Sequence, residues 1–222
     1  CPTSGVVGKF NNTVTFNGTT QYITAPVDLN QWLGNTSSLS FWIKTTQIGN
    51  NTSWSAPGVT GTELAASGND IFWGWIDATG RIGVMAGNTA GAKSLAPINN
   101  DVWHHVGLTR DATSGQVKVY VDGVLQQTAT SEVGVKTTAF ANVGRIDDSG
   151  GTPMFLAGSL DEFAVFPGVV FTDSQALDLY RRGAQRLKFQ VRSCNDASCS
   201  GETFMGPDGT ASTYYTEASN TT

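Results

Sequence analysis

The chain has 222 residues, of which 39% are hydrophobic and 14% charged, and its formal net charge at pH 7 is -5. A hydrophobic share of this size can fill an ordinary core, which excludes a disordered chain. The 13 Lys and Arg residues are scattered along the sequence, which argues against a nucleic-acid partner, and no apolar run reaches the roughly 18 residues that insertion into a membrane requires.

Most of the sequence alternates apolar and polar residues with a period of two, which predicts β-strands. Strands are predicted at residues 39–44, 71–76, 81–86, 103–109, 116–121, 124–130, 140–146 and 160–166. Asp122-Gly123 predicts a tight hairpin, because both residues tolerate a positive φ. Many short strands joined by Gly-rich turns indicate an all-β sandwich.

One segment near the end of this pattern predicts a short helix. Thr172 and Gln175 have the spacing of a capping box, and Ala176 and Tyr180 fall on one helical face. Gly183 predicts the end of the helix. Because the helix is short, we expect it to pack on the outside of the sandwich.

The character of the sequence changes after this helix, which predicts two domains. Residues 1–185 form the β-sandwich, and residues 186–222 form a β-strand extension, the start of a following domain. Residues 187–191 alternate as a strand does, and residues 213–216 are a candidate for another. Two or three strands cannot form an independent core, so we expect the extension to pack on the sandwich, a neighbouring domain or another subunit.

Three cysteines occur in the sequence. Cys194 and Cys199 lie close together in a polar loop, which predicts a short disulfide and an oxidising, extracellular or cell-surface location. Metal binding is the alternative, but no His or third Cys lies near this pair. Cys1 is left over.

Four groups of residues form a further pattern whose order and spacing extend over residues 5–183. They are Phe16-Asn17-Gly18 with Tyr22-Ile23, Leu39 to Lys44, Trp103-His104-His105-Val106 with Val117 to Gly123, and Gly158 to Phe163 with the helix through Tyr180. Together they resemble the laminin-G-like, concanavalin A-like lectin and glucanase family. The first group looks like its opening strand pair, and the extension looks like strands that follow such modules in bacterial surface proteins.

The resemblance implies two antiparallel sheets in a jelly-roll arrangement. Members of the family bind glycans or proteins, often with calcium, and some relatives are glycoside hydrolases. The retaining glucanases resemble one another in a Glu-x-Asp-x-x-Glu strand, which sets two carboxylates about 5 Å apart. None of the five Glu residues here begins that pattern. We therefore expect no enzymatic activity.

The resemblance also implies calcium as a candidate cofactor, with Asn17 and Asp161 at the positions that supply its ligands in relatives. The alternative is that Asn17 is a turn residue and that Asp161 accepts hydrogen bonds from backbone amides. Asp147 and Asp148, in the Gly-rich segment 144–151, are a second acidic place. They predict either calcium at the rim of a ligand site or a solvated turn.

Three tryptophans are candidates for an aromatic shelf. Trp73 and Trp75 are predicted to share one face of their strand, and Trp54 lies in the long loop before it. Exposed aromatic rings hold the apolar faces of sugars. The alternative is that Trp73 and Trp75 both face the core.

The sequence thus predicts a non-enzymatic extracellular carbohydrate-binding or adhesion module, with a glycan or a surface protein as its ligand and neighbouring domains in a larger chain. A structural spacer or assembly domain of a surface protein or filament is the alternative. A glycoside hydrolase is the third hypothesis.

Overall fold

The computed structural model describes residues 1–184, 190–194, 196 and 198–215. The chain divides into two compact units, residues 1–180 and 181–222. Most of the strand predicted at residues 187–191, and the last residue of that predicted at 213–216, lie outside the described residues. No described helix is long and apolar enough to cross a membrane.

Short strands make up most of the first unit. They are β1 (Thr3–Val7), β2 (Asn12–Asn17), β3 (Ile23–Thr24), β4 (Ser37–Lys44), β5 (Thr60–Glu63), β6 (Ile71–Ile76), β7 (Ile82–Ala86), β8 (Ala92–Lys93), β9 (His104–Arg110), β10 (Gln116–Val121), β11 (Val124–Thr130), β12 (Asn142–Val143), β13 (Arg145–Asp148), β14 (Met154–Phe155) and β15 (Ala157–Pro167). The helices are α1 (Asn30–Leu33) and α2 (Asp173–Ala184), and Ser53–Ser55 form a 3-10 turn.

Two main sheets are stacked in this unit. One has the order β1-β2-β15-β4-β9-β10-β11, the other has the order β14-β13-β5-β6-β7-β8, and β12 with β3 forms a small third sheet. The pair β13 and β5 is parallel, whereas the other described pairs are antiparallel. Chain neighbours often lie in different sheets, as a jelly roll requires. The predicted all-β jelly-roll sandwich is confirmed.

The main core lies between the two large sheets. Leu39, Phe41 and Ile43 of β4 are fully buried there, as their alternation predicted, and they share one cluster with Trp73 and Val84 of the six-stranded sheet. Burial of each such side chain stabilises the fold by about 1.5–3 kcal/mol.

Glycine positions end or divide several strands. Asp122 and Gly123 have φ values of 51° and 79°, and they close the predicted hairpin between β10 and β11. The strand predicted at residues 140–146 is instead two short strands, because Gly144 between them has a φ of 92°.

The predicted opening strand pair does not form. β2 pairs with β1 and β15, whereas β3 pairs with β12. The physical reason is the turn after β2, in which the Asn17 side-chain oxygen accepts hydrogen bonds from the amides of Thr19, Thr20 and Gln21. This turn ends β2 before a returning strand can pair with it.

Helix α2 begins as its sequence predicted. The Thr172 amide donates to Gln175 Oε1 at 3.0 Å, and the Gln175 amide donates to Thr172 Oγ1 at 3.2 Å, which completes the capping box. Ala176 packs in a cluster with Tyr120 and Phe171, separate from the main core. The helix includes Gly183, the predicted stop, and ends at Ala184.

A buried arginine joins two loops of the first unit. The Arg110 side chain is fully buried, and its guanidinium donates hydrogen bonds to the carbonyls of Gly34, Asn35, Glu132 and Gly134. These bonds offset part of the cost of burying the charge.

The second unit is described in part. Val191 and Met205 exchange two backbone hydrogen bonds, of 3.0 and 2.8 Å. Cys194 and Cys199 form a disulfide, and Cys1, at the start of the first unit, is exposed with a free thiol.

Candidate functional site

A cavity of about 300 Å³ opens on the six-stranded sheet, on the face that points away from the main core. We call it the outer pocket. It is lined by Asn51, Ser53, Trp54, Trp75, Met85, Asn88, Thr89, Ala90, Gly91 and Lys93. Trp75 and Met85 belong to a small apolar cluster on this face and form the floor of the pocket.

Trp73 and Trp75 lie on opposite faces of β6, so the predicted shared face is wrong. On β6, Trp73 pairs with Val84 and Trp75 pairs with Gly83, the next residue of β7. Gly74, with a φ of 74°, is therefore an extra residue that has no partner on β7. This bulge breaks the period of two. As a result Trp73 is fully buried in the main core, whereas Trp75 contributes to the outer pocket.

The segment between β4 and β5 holds Trp54 over the sheet. Backbone hydrogen bonds fix its two ends. The Gly49 amide donates to the Asp77 carbonyl at 3.0 Å, and the Ile76 amide donates to the Pro57 carbonyl at 2.8 Å. The 3-10 turn at its centre presents Trp54, which remains 54% exposed. Trp54 is therefore the solvent-facing aromatic of the pocket.

The charged member of the pocket is Lys93. Its ammonium lies 3.1 Å from Asp77 Oδ2 and 5.4 Å from the centre of the Trp75 ring. Arg81 contacts the same carboxylate at 2.9 Å. Burial works to raise the pKa of Asp77, but hydrogen bonds from Thr79, Arg81 and Lys93 outweigh it and hold this pKa well below its usual range.

Polar groups of the pocket can bond a ligand. Asn51 accepts a hydrogen bond from the Ala78 amide, and Asn88 donates one to the Ser67 carbonyl. Among the described residues, these bonds use the side-chain oxygen of Asn51 and the side-chain nitrogen of Asn88. The amide nitrogen of Asn51 and the amide oxygen of Asn88 can therefore bond hydroxyl groups. The arrangement suits a ring with one apolar face and hydroxyls at its edge.

Sequence reasoning missed Lys93, Met85, Asn51 and Asn88 as members of the pocket. Nothing in their local pattern distinguishes them from other strand and loop residues. Only the adjacency of β6, β7 and β8 with the segment before β5 brings them together.

Asp147 and Asp148 are not among the described residues that line the outer pocket. Asp147 forms an ion pair with Arg145 at 2.6 Å, and the Arg145 guanidinium lies 3.6 Å from the centre of the Tyr22 ring. Asp148 accepts a hydrogen bond from the Gly150 amide at 2.9 Å.

Asp148 also lies beside Glu63, in the parallel pairing of β13 with β5. Burial, and then the hydrogen bond and charge of Asp148, raise the pKa of Glu63 to about 7. The Glu63 carboxyl therefore keeps its proton at mildly acidic pH.

The predicted calcium ligands Asn17 and Asp161 are not brought together. Asn17 pairs with Ala157, four residues from Asp161 along β15, which corresponds to about 13 Å. The Asn17 oxygen is engaged in its turn, and Asp161 accepts hydrogen bonds from the amides of Phe10 and Glu162. A calcium ion holds its oxygen ligands at about 2.3–2.6 Å, so this pair does not fit one shared ion. In the described part of the chain, no three His, Cys, Asp or Glu side chains group as a metal site.

Comparison with known proteins gives a family match. The family model described as concanavalin A-like lectin/glucanases superfamily matches residues 17–176. No curated protein sequence matches the chain.

Several solved structures share the fold. Domain 4 of AbnA, a GH43 extracellular arabinanase from Geobacillus stearothermophilus in complex with arabinotriose, is 24% identical, with 81% of each chain covered and a TM-score of 0.57. The Ruminococcus gnavus IT-sialidase CBM40 bound to α2,3-sialyllactose is 18% identical, with 75% of this chain and 95% of that chain covered and a TM-score of 0.57. The Trypanosoma rangeli sialidase in complex with sialic acid is 16% identical, with 76% of this chain covered and a TM-score of 0.52, and the chain spans 27% of its length.

Proposed function

Because the chain belongs to the concanavalin A-like lectin/glucanases superfamily, we propose that it is a carbohydrate-binding module and that the outer pocket holds the glycan. The observation that carries this proposal is the pairing of a half-exposed Trp54 with an apolar floor of Trp75 and Met85. The similar structures in complex with arabinotriose and sialyllactose support a glycan as the class of ligand.

A sugar ring in this pocket would lie with its apolar face against Trp54. The side-chain amides of Asn51 and Asn88 would bond its hydroxyls. Because Trp54 is the exposed aromatic, its loss removes contact area without opening the core. We expect Trp54→Ala to weaken glycan binding about tenfold or more, as the loss of a central aromatic anchor does.

We propose binding without catalysis. The described residues that line the outer pocket include no carboxylate. Glu63 and Asp148 lie opposite each other on the paired strands β5 and β13, and neither of them is among the described residues that line the outer pocket. The test is release of reducing ends from the bound glycan, and a measurable turnover would contradict this part of the proposal.

A glycan array followed by calorimetric titration tests the binding proposal. Wild-type chain should bind at least one glycan, Trp54→Ala should lose that binding, and Val124→Ala should keep it. Val124 is 59% exposed on the seven-stranded sheet and is a matched apolar control. Equal binding by all three proteins would refute the assigned site. Binding of no glycan would favour the alternative, a structural spacer.

We further propose an extracellular or cell-surface location, where a neighbouring domain or surface protein would be a partner. The disulfide between Cys194 and Cys199 supports this location. Calcium dependence stays a prediction. Melting temperatures in calcium and in EDTA test it, and identical values would refute it.

A further inference from the structure

We propose that the outer pocket selects saccharides that carry a carboxylate, such as a uronic or sialic acid, and that Lys93 is the residue that recognises the carboxylate. This inference rests on the proposed function, since it assumes that the outer pocket binds a glycan. It adds the chemical class of that glycan.

The charge balance at Lys93 carries the proposal. Asp77 is a single carboxylate with a fully buried side chain, and it contacts two cations, Arg81 and Lys93. The three groups together leave one positive charge in excess. The Lys93 side chain is 28% exposed and lines the pocket, whereas Asp77 is not among the described lining residues. The excess charge therefore faces the ligand space.

An acidic group at the edge of the pocket is already paired with a cation. Glu132 approaches the edge of the pocket, where its Oε2 accepts a hydrogen bond from the Asn88 amide at 3.3 Å. Its other carboxylate oxygen lies 3.0 Å from the ammonium of Lys136. Glu132 is thus engaged by Lys136, and Lys93 is the charged side chain among the described lining residues.

Lys93 also lies beside the apolar floor of the outer pocket. Its ammonium lies 5.4 Å from the centre of the Trp75 ring. Trp75 is almost fully buried in the floor of the pocket. An ammonium beside this apolar floor favours a ligand with an anionic acceptor.

Paired ligands test the inference. We would titrate trigalacturonate and 3′-sialyllactose against the full chain, each beside its methyl ester, which keeps the sugar and removes the charge. Arabinotriose is the neutral reference. Wild-type chain should bind at least one acid roughly two- to fivefold more tightly than its ester, the ratio expected for a partly exposed ion pair. The two acids distinguish a uronate from a sialate source.

Three variants isolate the charge. Lys93→Met keeps the aliphatic stem and leaves Asp77 paired with Arg81, so the acid-to-ester ratio should fall to about one. Lys93→Arg should retain the ratio. Lys118→Met makes the same change of net charge on β10 and should leave the ratio unchanged.

The outcomes separate this inference from the proposed function. Equal binding of acids and esters, with loss of both in Trp54→Ala, would overturn the selection for acids and leave the glycan site intact. An acid-to-ester ratio that survives in Lys93→Met would overturn the role of Lys93. If the chain binds none of the acids, the esters and arabinotriose, both the proposed glycan site and the selection for acids are overturned.

Discussion

Replacing Gly74 with alanine should disturb the bulge that places Trp75 in the outer pocket. Gly74 has a φ of 74°, and a left-handed conformation costs an L-residue about 1–2 kcal/mol. The added Cβ would lie 2.7 Å from Cγ2 of Val59, which is fully buried. Overpacking of a core adds about 1–3 kcal/mol. We therefore expect the free energy of unfolding to fall by about 2–5 kcal/mol.

Gly168→Ala is the matched control. Gly168 has nearly the same φ, 73°, but no heavy atom lies within 4 Å of the added Cβ. The free energy of unfolding of the Gly168→Ala variant should therefore fall by only about 1–2 kcal/mol. Urea denaturation followed by far-UV circular dichroism measures both variants, and each kcal/mol corresponds to roughly 2–4 °C in melting temperature. Equal losses in the two variants would refute the packing argument at Gly74.

Three further predictions concern polar and titratable side chains of the first unit. Arg110→Met should lower the free energy of unfolding by about 3 kcal/mol or more in urea denaturation, because several buried carbonyls lose their donor; a neutral effect would contradict this. Wild-type chain should lose stability relative to Glu63→Gln as pH rises from 4.5 to about 7, because the native carboxyl keeps its proton up to the higher pKa; parallel pH profiles would refute the coupling. Burial lowers the pKa of His105 to about 4, although the charge of Asp122 acts to raise it. An NMR titration should therefore find the His105 ring neutral at pH 5.5. The stability that the neutral ring confers should be lost as pH falls from 6.5 to about 4.

The strand positions could be predicted because they depend on local alternation. In β4 the inward set of Leu39, Phe41 and Ile43 follows from the period of two, and the Asp122-Gly123 turn follows from the φ values that its residues tolerate. The capping box of α2 is equally local. These features need no knowledge of which strands are neighbours.

The site could be predicted only in part. Trp54 and Trp75 were identified from their residue type, but the period of two wrongly placed Trp73 beside Trp75. A single inserted residue, Gly74, reverses the face of every residue after it. Lys93 could not be identified, because its place in the pocket depends on the pairing of β7 with β8.

The predicted calcium ligands show the same limit. Asn17 and Asp161 lie on neighbouring strands, β2 and β15, yet the pairing register separates them by four residues. A family resemblance gives the order of the strands along the chain. It does not give the local turn that engages the Asn17 side chain.

A crystal structure of the chain with the highest-affinity glycan of the array tests the central claim most directly. We expect one sugar ring to lie against the Trp54 indole at about 4 Å, with its hydroxyls bonded to Asn51 and Asn88. A glycan bound at another surface, with no sugar density beside Trp54 and Trp75, would contradict the account.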